Sequence, residues 1–120
     1  MEKIIQGLGV SQGKARGRVK IIHTPEDLGK FSEGDILVVK ITNPNMVMLM
    51  EKAAGIICDI GGMTSHPSII SREMGIPCIV SARSIDTQKN ATETLLDGML
   101  IEMCGESGVI HLVEEEKWTG

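Results

Sequence analysis

Aromatic side chains are nearly missing from this chain of 120 residues: one Phe, one Trp and no Tyr, 2% in all, against 42% hydrophobic residues. Its core must therefore be built from Ile, Leu, Val and Met. There is no basic cluster, and the formal net charge is -4, which argues against nucleic acid or an anionic membrane as a partner. Long apolar runs are absent too. Met1-Glu2-Lys3 leads into only a few apolar residues before glycine, so neither a signal peptide nor a membrane span is expected, and a cytoplasmic location is. Cysteines number three. Cys58 and Cys78 sit inside apolar strand patterns and read as reduced core residues. Cys58, Cys78, Cys104, His23, His66 and His111 show no paired ligand spacing, so no metal site is expected.

Nucleotide motifs fail as well. Gly7-x-Gly9 lacks the third glycine of a dinucleotide loop, and Gly13-Lys14-Ala15 lacks the earlier glycine and the Ser or Thr of a P-loop. Those glycines read as turns. The length fits one domain, residues 1–120, large enough to bury a core.

What remains is a string of alternating strands and helices with no linker. Gly17 to Ile22 and Gly34 to Thr42 carry β-branched, alternating or continuous apolar residues and read as strands. Asn43-Pro44 reads as an N-cap and first helical position, opening a helix through Met46, Leu49, Met50 and Ala53 that Gly55 stops. Gly55 to Ile60 and Ile76 to Ser81 read as buried strands on either side of a further helix. Met99 to Met103 and Val109 to Val113 form a closing hairpin, hairpins being expected at both ends of the chain. The methionines Met46, Met48 and Met50 are plastic core, any exposed member serving a docking face. His23 and His111 are placed at strand ends facing solvent, and Glu114 to Lys117 in a frayed tail.

The most informative stretch is Gly61-Gly62-Met63-Thr64-Ser65-His66-Pro67-Ser68, where a buried strand breaks at a glycine pair and turns into a helix. Proline is favoured at the first helical position, which makes His66 the expected N-cap. The free backbone donors of Ser68 and Ile69, with the positive end of the helix dipole, would then face whatever sits on the imidazole. Gly61 and Gly62 let the backbone approach a ligand closely. Arg72, six residues on, points away from the cap, though its long arm can bring charge near an anion. Histidine, with an unperturbed pKa of about 6.5, offers a nucleophilic ring nitrogen at neutral pH, and its phosphoramidate passes phosphate on as readily as it takes it. The arrangement suits a histidine that carries phosphate. The plain alternative is a capping or surface histidine.

The run continues Ile69-Ile70-Ser71-Arg72-Glu73-Met74-Gly75-Ile76-Pro77. As a whole it resembles the signature of the phosphohistidine domain, the mobile or swivelling domain, of phosphoenolpyruvate-utilising enzymes of the phosphoenolpyruvate synthase and pyruvate phosphate dikinase type. The likeness extends to Gly7-Leu8-Gly9-Val10-Ser11-Gln12-Gly13, Gly34-Asp35-Ile36-Leu37-Val38, Thr42-Asn43-Pro44-Asn45 and Asp97-Gly98. Pro67 and Ser68 depart from it, standing where the family has Ala-Ala. The resemblance implies an α/β fold of the swivelling β/β/α three-layer kind. It also implies that His66 accepts and donates a phosphoryl group, with Gly61, Gly62, Thr64, Ser65, Ser68 and Arg72 supporting the phosphate loop. The implied partners are an ATP-grasp nucleotide-binding domain and a PEP- or pyruvate-binding domain, in cis or as separate chains. Mg2+ and ATP or PEP are expected there, with no cofactor held by this chain. Thr64 is assigned to loop hydrogen bonding, regulatory phosphorylation of it being the remoter option. A different class of reading is a non-catalytic interaction or regulatory module that keeps the fold but carries no phosphate. A hydrolase built on Ser65 and His66 is poorer, since adjacent residues at a helix start do not face each other.

Overall fold

The computed structural model describes residues 2–114, so the expected tail at Glu114 to Lys117 lies, past its first residue, outside the described residues. Among the described residues seven strands, β1 (Glu2–Ser11), β2 (Lys14–Ile22), β3 (Ile36–Val39), β4 (Gly55–Cys58), β5 (Cys78–Ser84), β6 (Leu100–Cys104) and β7 (Val109–Leu112), close into a barrel in the order β1-β5-β4-β3-β2-β6-β7. From β2 through β3 and β4 to β5 the pairing is parallel, and the remaining pairs are antiparallel. Helices α1 (Val47–Lys52), α2 (His66–Met74) and α3 (Ala91–Thr94) follow β3, β4 and β5. Two short 3₁₀ segments, Pro25–Lys30 and Pro44–Met46, complete the fold.

Strand parity explains why the fold has three layers. Successive strand side chains point to opposite faces, and here both faces are apolar. Ile36 and Val38 of β3, Ile57 of β4 and Ile79 of β5 pack inside the barrel with Ile5, Val19, Ile101 and Ile110. Their neighbours Leu37, Val39, Ile56, Cys58, Cys78 and Val80 point outward, against Met50 of α1 and Ile70 and Met74 of α2. A strand buried on both faces must be a continuous apolar run, which is what β3 and β4 are. The layers are thus sheet, sheet and helix.

The opening glycines are a correction. Gly7 and Gly9 lie within β1 and not in turns; only Gly13, with φ +119, sits in the tight connection to β2. A Cβ on Gly7 would stand 2.6 Å from the Ile79 side chain and 2.8 Å from the Val80 carbonyl, so β1 needs glycine to approach β5. The expected N-terminal hairpin also fails, since β1 and β2 do not pair with each other. The β6–β7 hairpin inserts between them, the Gly105 amide donating to the Gly13 carbonyl at 2.7 Å. That closing hairpin and the β4–α2–β5 unit are as expected, whereas Asn43-Pro44 opens a 3₁₀ turn, Pro44–Met46, and α1 itself begins only at Val47. Asn43 Oδ1 accepts from the Asn45 amide at 2.9 Å, and Met50 is fully buried while Met48 is 72% exposed. His23 is exposed just past β2; His111, expected at a strand end and solvent-facing, is partly buried within β7.

Candidate functional site

Parallel strands deliver their following loops to one edge, and ligand sites of α/β proteins sit at such carboxyl ends. Here the loop after β3 carries Thr42 and the loop after β4 carries Gly61 to Ser65 and then His66. The two loops are tied together by the Asp59 amide on the Val39 carbonyl, 3.1 Å, and the Ile60 amide on the Lys40 carbonyl, 3.0 Å.

Ser65, not His66, is the N-cap of α2, so His66 is the first helical residue and Pro67 the second. The reason lies in the hydrogen bonds: the Ile69 amide bonds the Ser65 carbonyl at 3.0 Å, starting the helix one residue earlier than expected. Ile69 is therefore not a free donor. The amides ahead of that first bond belong to His66 and Ser68, Pro67 having none. Proline at the second position still costs nothing, since its donor would be an orphan there too. The helix ends at Gly75, φ +70, where the Gly75 amide reaches the Arg72 carbonyl and the Ile76 amide the Ser71 carbonyl at 3.0 Å. This is a Schellman cap, which favours glycine.

His66 is half-buried, and its Nδ1 lies 2.7 Å from Oγ1 of the buried Thr42. One ring nitrogen is thus occupied by the protein, and Nε2 has no hydrogen-bond partner among the described residues. Thr42 was not among the residues singled out by sequence. Sequence places it at the end of the Gly34 to Thr42 strand and in the Thr42-Asn43-Pro44-Asn45 stretch that shares the family likeness, but gives it no role.

The residues named with His66 in the sequence lie in the loop before α2 and in its first turns, and all but Thr64 take part in the loop's hydrogen bonds. Gly61 has φ +150, and a Cβ there would stand 2.9 Å from Ser65 Oγ. Ser65 Oγ and Ser68 Oγ donate to the Gly62 carbonyl at 2.8 and 2.5 Å and lie 3.1 Å from each other. Ser65 thus turns back into the loop and does not face His66, against any serine hydrolase arrangement. Arg72 reaches back along α2 to donate to the Met63 carbonyl, so its charge holds the loop. Thr64 is exposed and its side chain makes no hydrogen bond among the described residues, which corrects the expectation that it braces the loop. A groove of about 500 Å³ runs beside Arg72 and Met63, bordered by Ser11, Gln12 and Glu106. Among the described residues no group of three or more His, Cys, Asp or Glu is placed to hold a metal ion, and no helix is long and apolar enough to cross a membrane.

The chain is thus a small closed barrel with outer helices that presents a histidine at the start of one of them. Residues 31–108 match the model of the mobile domain of PEP-utilising enzymes, and the chain belongs to that family. It is 46% identical over 110 residues to phosphoenolpyruvate synthase of Pyrococcus furiosus, covering 92% of this chain and 13% of that protein. It is 44% identical over 114 residues to a probable phosphoenolpyruvate synthase of Archaeoglobus fulgidus, covering 95% and 14%. An uncharacterized phosphotransferase of Bacillus subtilis is 43% identical over 112 residues, covering 93% and 13%. The chain therefore spans about one seventh of the length of these relatives. Among solved structures, Enzyme I in solution superposes with a TM-score of 0.53 at 25% identity, over 68% of this chain and 32% of that one. Thermococcus kodakaraensis aconitase X shares the fold, with a TM-score of 0.67 at 17% identity, over 95% and 100%.

Proposed function

We propose that residues 1–120 form a phosphocarrier module in which His66 Nε2 takes a phosphoryl group at one site and delivers it at another. The observation that carries this reading is the hydrogen bond between Thr42 Oγ1 and His66 Nδ1. With Thr42 accepting from Nδ1–H, Nε2 keeps its lone pair and needs no base to free it. It attacks phosphorus as the bond to the donor's leaving oxygen breaks, and the Nδ1 proton stays in its hydrogen bond. Return transfer reverses these steps. Gly61, Gly62, Ser65, Ser68 and Arg72 keep the loop before His66 in one shape, and the amides of His66 and Ser68 add the favourable end of the helix dipole.

The donor and acceptor sites belong elsewhere. An ATP-grasp nucleotide-binding domain and a pyruvate- or PEP-binding domain, in cis or on separate chains, would hold ATP or PEP with Mg2+, which neutralises the transferring phosphate. Phosphoenolpyruvate synthase relatives seven or so times longer than this chain support such partners, and ATP and PEP chemistry fits a cytoplasmic setting.

The test is a chimera in which this chain replaces the matching segment of the Pyrococcus furiosus synthase. Incubated with ATP labelled in its phosphoryl groups, the chimera should acquire label lost in acid, kept in alkali and absent from His66→Ala. Label persisting in His66→Ala, or a folded chimera that takes none, overturns the reading.

A further inference from the structure

Ser81 stands where backbone rules least favour it. Its φ of +51 is left-handed, a conformation that disfavours residues bearing a Cβ. The cause is a bulge: between the pairs Leu8↔Val80 and Gln6↔Arg83, two steps along β1 match three along β5. The slip lets Val80 face the helix layer and Ala82 the barrel interior. Glycine would make that turn without strain, so the fold does not explain a serine. What serine adds is a hydroxyl, and its Oγ donates to the Gly61 carbonyl at 2.7 Å.

Gly61 is the first of three consecutive residues whose carbonyls are captured. The Gly62 carbonyl accepts from the Ser65 amide and from the hydroxyls of Ser65 and Ser68, and the Met63 carbonyl accepts from Arg72. In a trans peptide the N–H points opposite its carbonyl, and no peptide bond among the described residues is cis. The amides of Gly62, Met63 and Thr64 therefore point away from these anchors, on residues that are all exposed. None of the three finds an acceptor among the described residues.

We propose that Ser81 is a positioning residue for the phosphoryl chemistry of His66: by fixing the Gly61 carbonyl inward, it sets the direction of the outward-facing amides that precede the histidine. This rests on the carrier reading of His66. Ser81 touches no reacting atom; it acts through Gly61. A mere structural stitch and a positioning role make opposite statements about one substitution. Ser81→Gly removes the hydroxyl but relieves the left-handed strain, so folded stability is kept or raised while control of the loop is lost.

The measurement uses the chain itself with phosphoramidate, which transfers phosphate to histidine nitrogen as its own P–N bond breaks and ammonia leaves. Uptake is followed by 31P spectra, and the loop by amide spectra. For Ser81→Gly the thermal midpoint should not fall, the amide resonances of Gly62, Met63 and Thr64 should move, and uptake at His66 should slow about fivefold, the worth of one hydrogen bond. Uptake at exposed His23 should be unchanged. Ser81→Asn, which tolerates the left-handed backbone and carries a side-chain donor, should recover part of the rate. Equal uptake in wild type and Ser81→Gly, or a rate that falls only together with stability, overturns the positioning role alone. Phosphate on His23 with none on wild-type His66 overturns the carrier reading and this role with it.

Discussion

Thr42 Oγ1 and His66 Nδ1 meet at 2.7 Å although 24 residues separate them in sequence. Parallel pairing of β3 with β4 places the two following loops side by side, so the contact is a product of topology. If Thr42 fixes the proton on Nδ1, nitrogen spectra of the wild type should show the Nδ1–H tautomer of His66. Thr42→Val should release the ring and slow phosphoryl transfer about fivefold to tenfold, with Thr42→Ser close to wild type. An unchanged tautomer in Thr42→Val would remove Thr42 from the site.

The three thiols should divide sharply in reactivity. Burial pushes the Cys58 thiol well above its ordinary value and the Cys78 thiol up to about 12. Cys104, between buried and exposed, is lowered by the Ser107 hydroxyl and by backbone amides of Ser107 and Glu106. Since the thiolate is the nucleophile, iodoacetamide at pH 8 should label Cys104 first and leave Cys58 and Cys78 untouched until the chain unfolds. Mass spectrometry of peptides from a brief exposure decides it, and early label on Cys58 or Cys78 contradicts the packing described.

The same burial gives stability a pH dependence of definite sign. Cys58 and Cys78 hold their protons more tightly folded than unfolded, so their contribution is fully present below the unfolded thiol pKa, 9.0, and is lost as pH rises toward the folded values. Each buried thiol should cost about 1.4 kcal/mol of stability per pH unit in that window. Urea midpoints measured from pH 8 to 10.5 should fall less steeply in Cys78→Ala than in wild type. Parallel profiles would mean that Cys78 ionises freely in the native state.

Gly75 tests the cap of α2. Alanine at φ +70 should cost about 1 kcal/mol, read as a lower thermal midpoint with phosphoryl uptake retained, because the strain sits at the helix end opposite His66. A loss of uptake at full stability would show that the cap, and not the N-terminal loop, governs the site.

Much of this fold can be read from residue patterns because the layers themselves leave a pattern. Ile36-Leu37-Val38-Val39 and Ile56-Ile57-Cys58 are apolar without a break since both faces of β3 and β4 are buried. The Gly-Gly break before Thr64-Ser65-His66 marks the strand-to-helix turn just as plainly. Other features leave no local trace. Gly7 and Gly9 look like turn residues, yet they are glycine because β1 runs so close to β5 and the β6–β7 turn. The N-cap of α2 falls on Ser65 and not His66 because the Ile69 amide finds the Ser65 carbonyl, a choice that Pro67 permits at either position. Helix α3 has only four residues, too few to show a period. Thr42 and Ser81 acquire their roles from strand order and a bulge, neither of which is written in the residues around them.

Asp59 shows how the loop before His66 is anchored from below. It is 2% exposed, and its carboxylate accepts from the Thr92 amide at 3.0 Å and the Thr92 hydroxyl at 2.6 Å, at the start of α3. An acid so deeply buried is tolerable only because both oxygens are bonded. It stands two residues before Gly61, so it holds the end of β4 from which the loop departs. In Asp59→Ala, Thr92 loses both acceptors and the urea midpoint should drop by the equivalent of about 2 kcal/mol at unchanged slope. Amide exchange should accelerate at Ile60 and Ser65, whose amides bond the Lys40 and Gly62 carbonyls, while Leu37 and Val38 of β3 keep their protection, because the damage begins where β4 ends. Uniform acceleration across both strands would assign Asp59 to the stability of the whole barrel, and no change in midpoint would mean that water replaces Thr92 without cost.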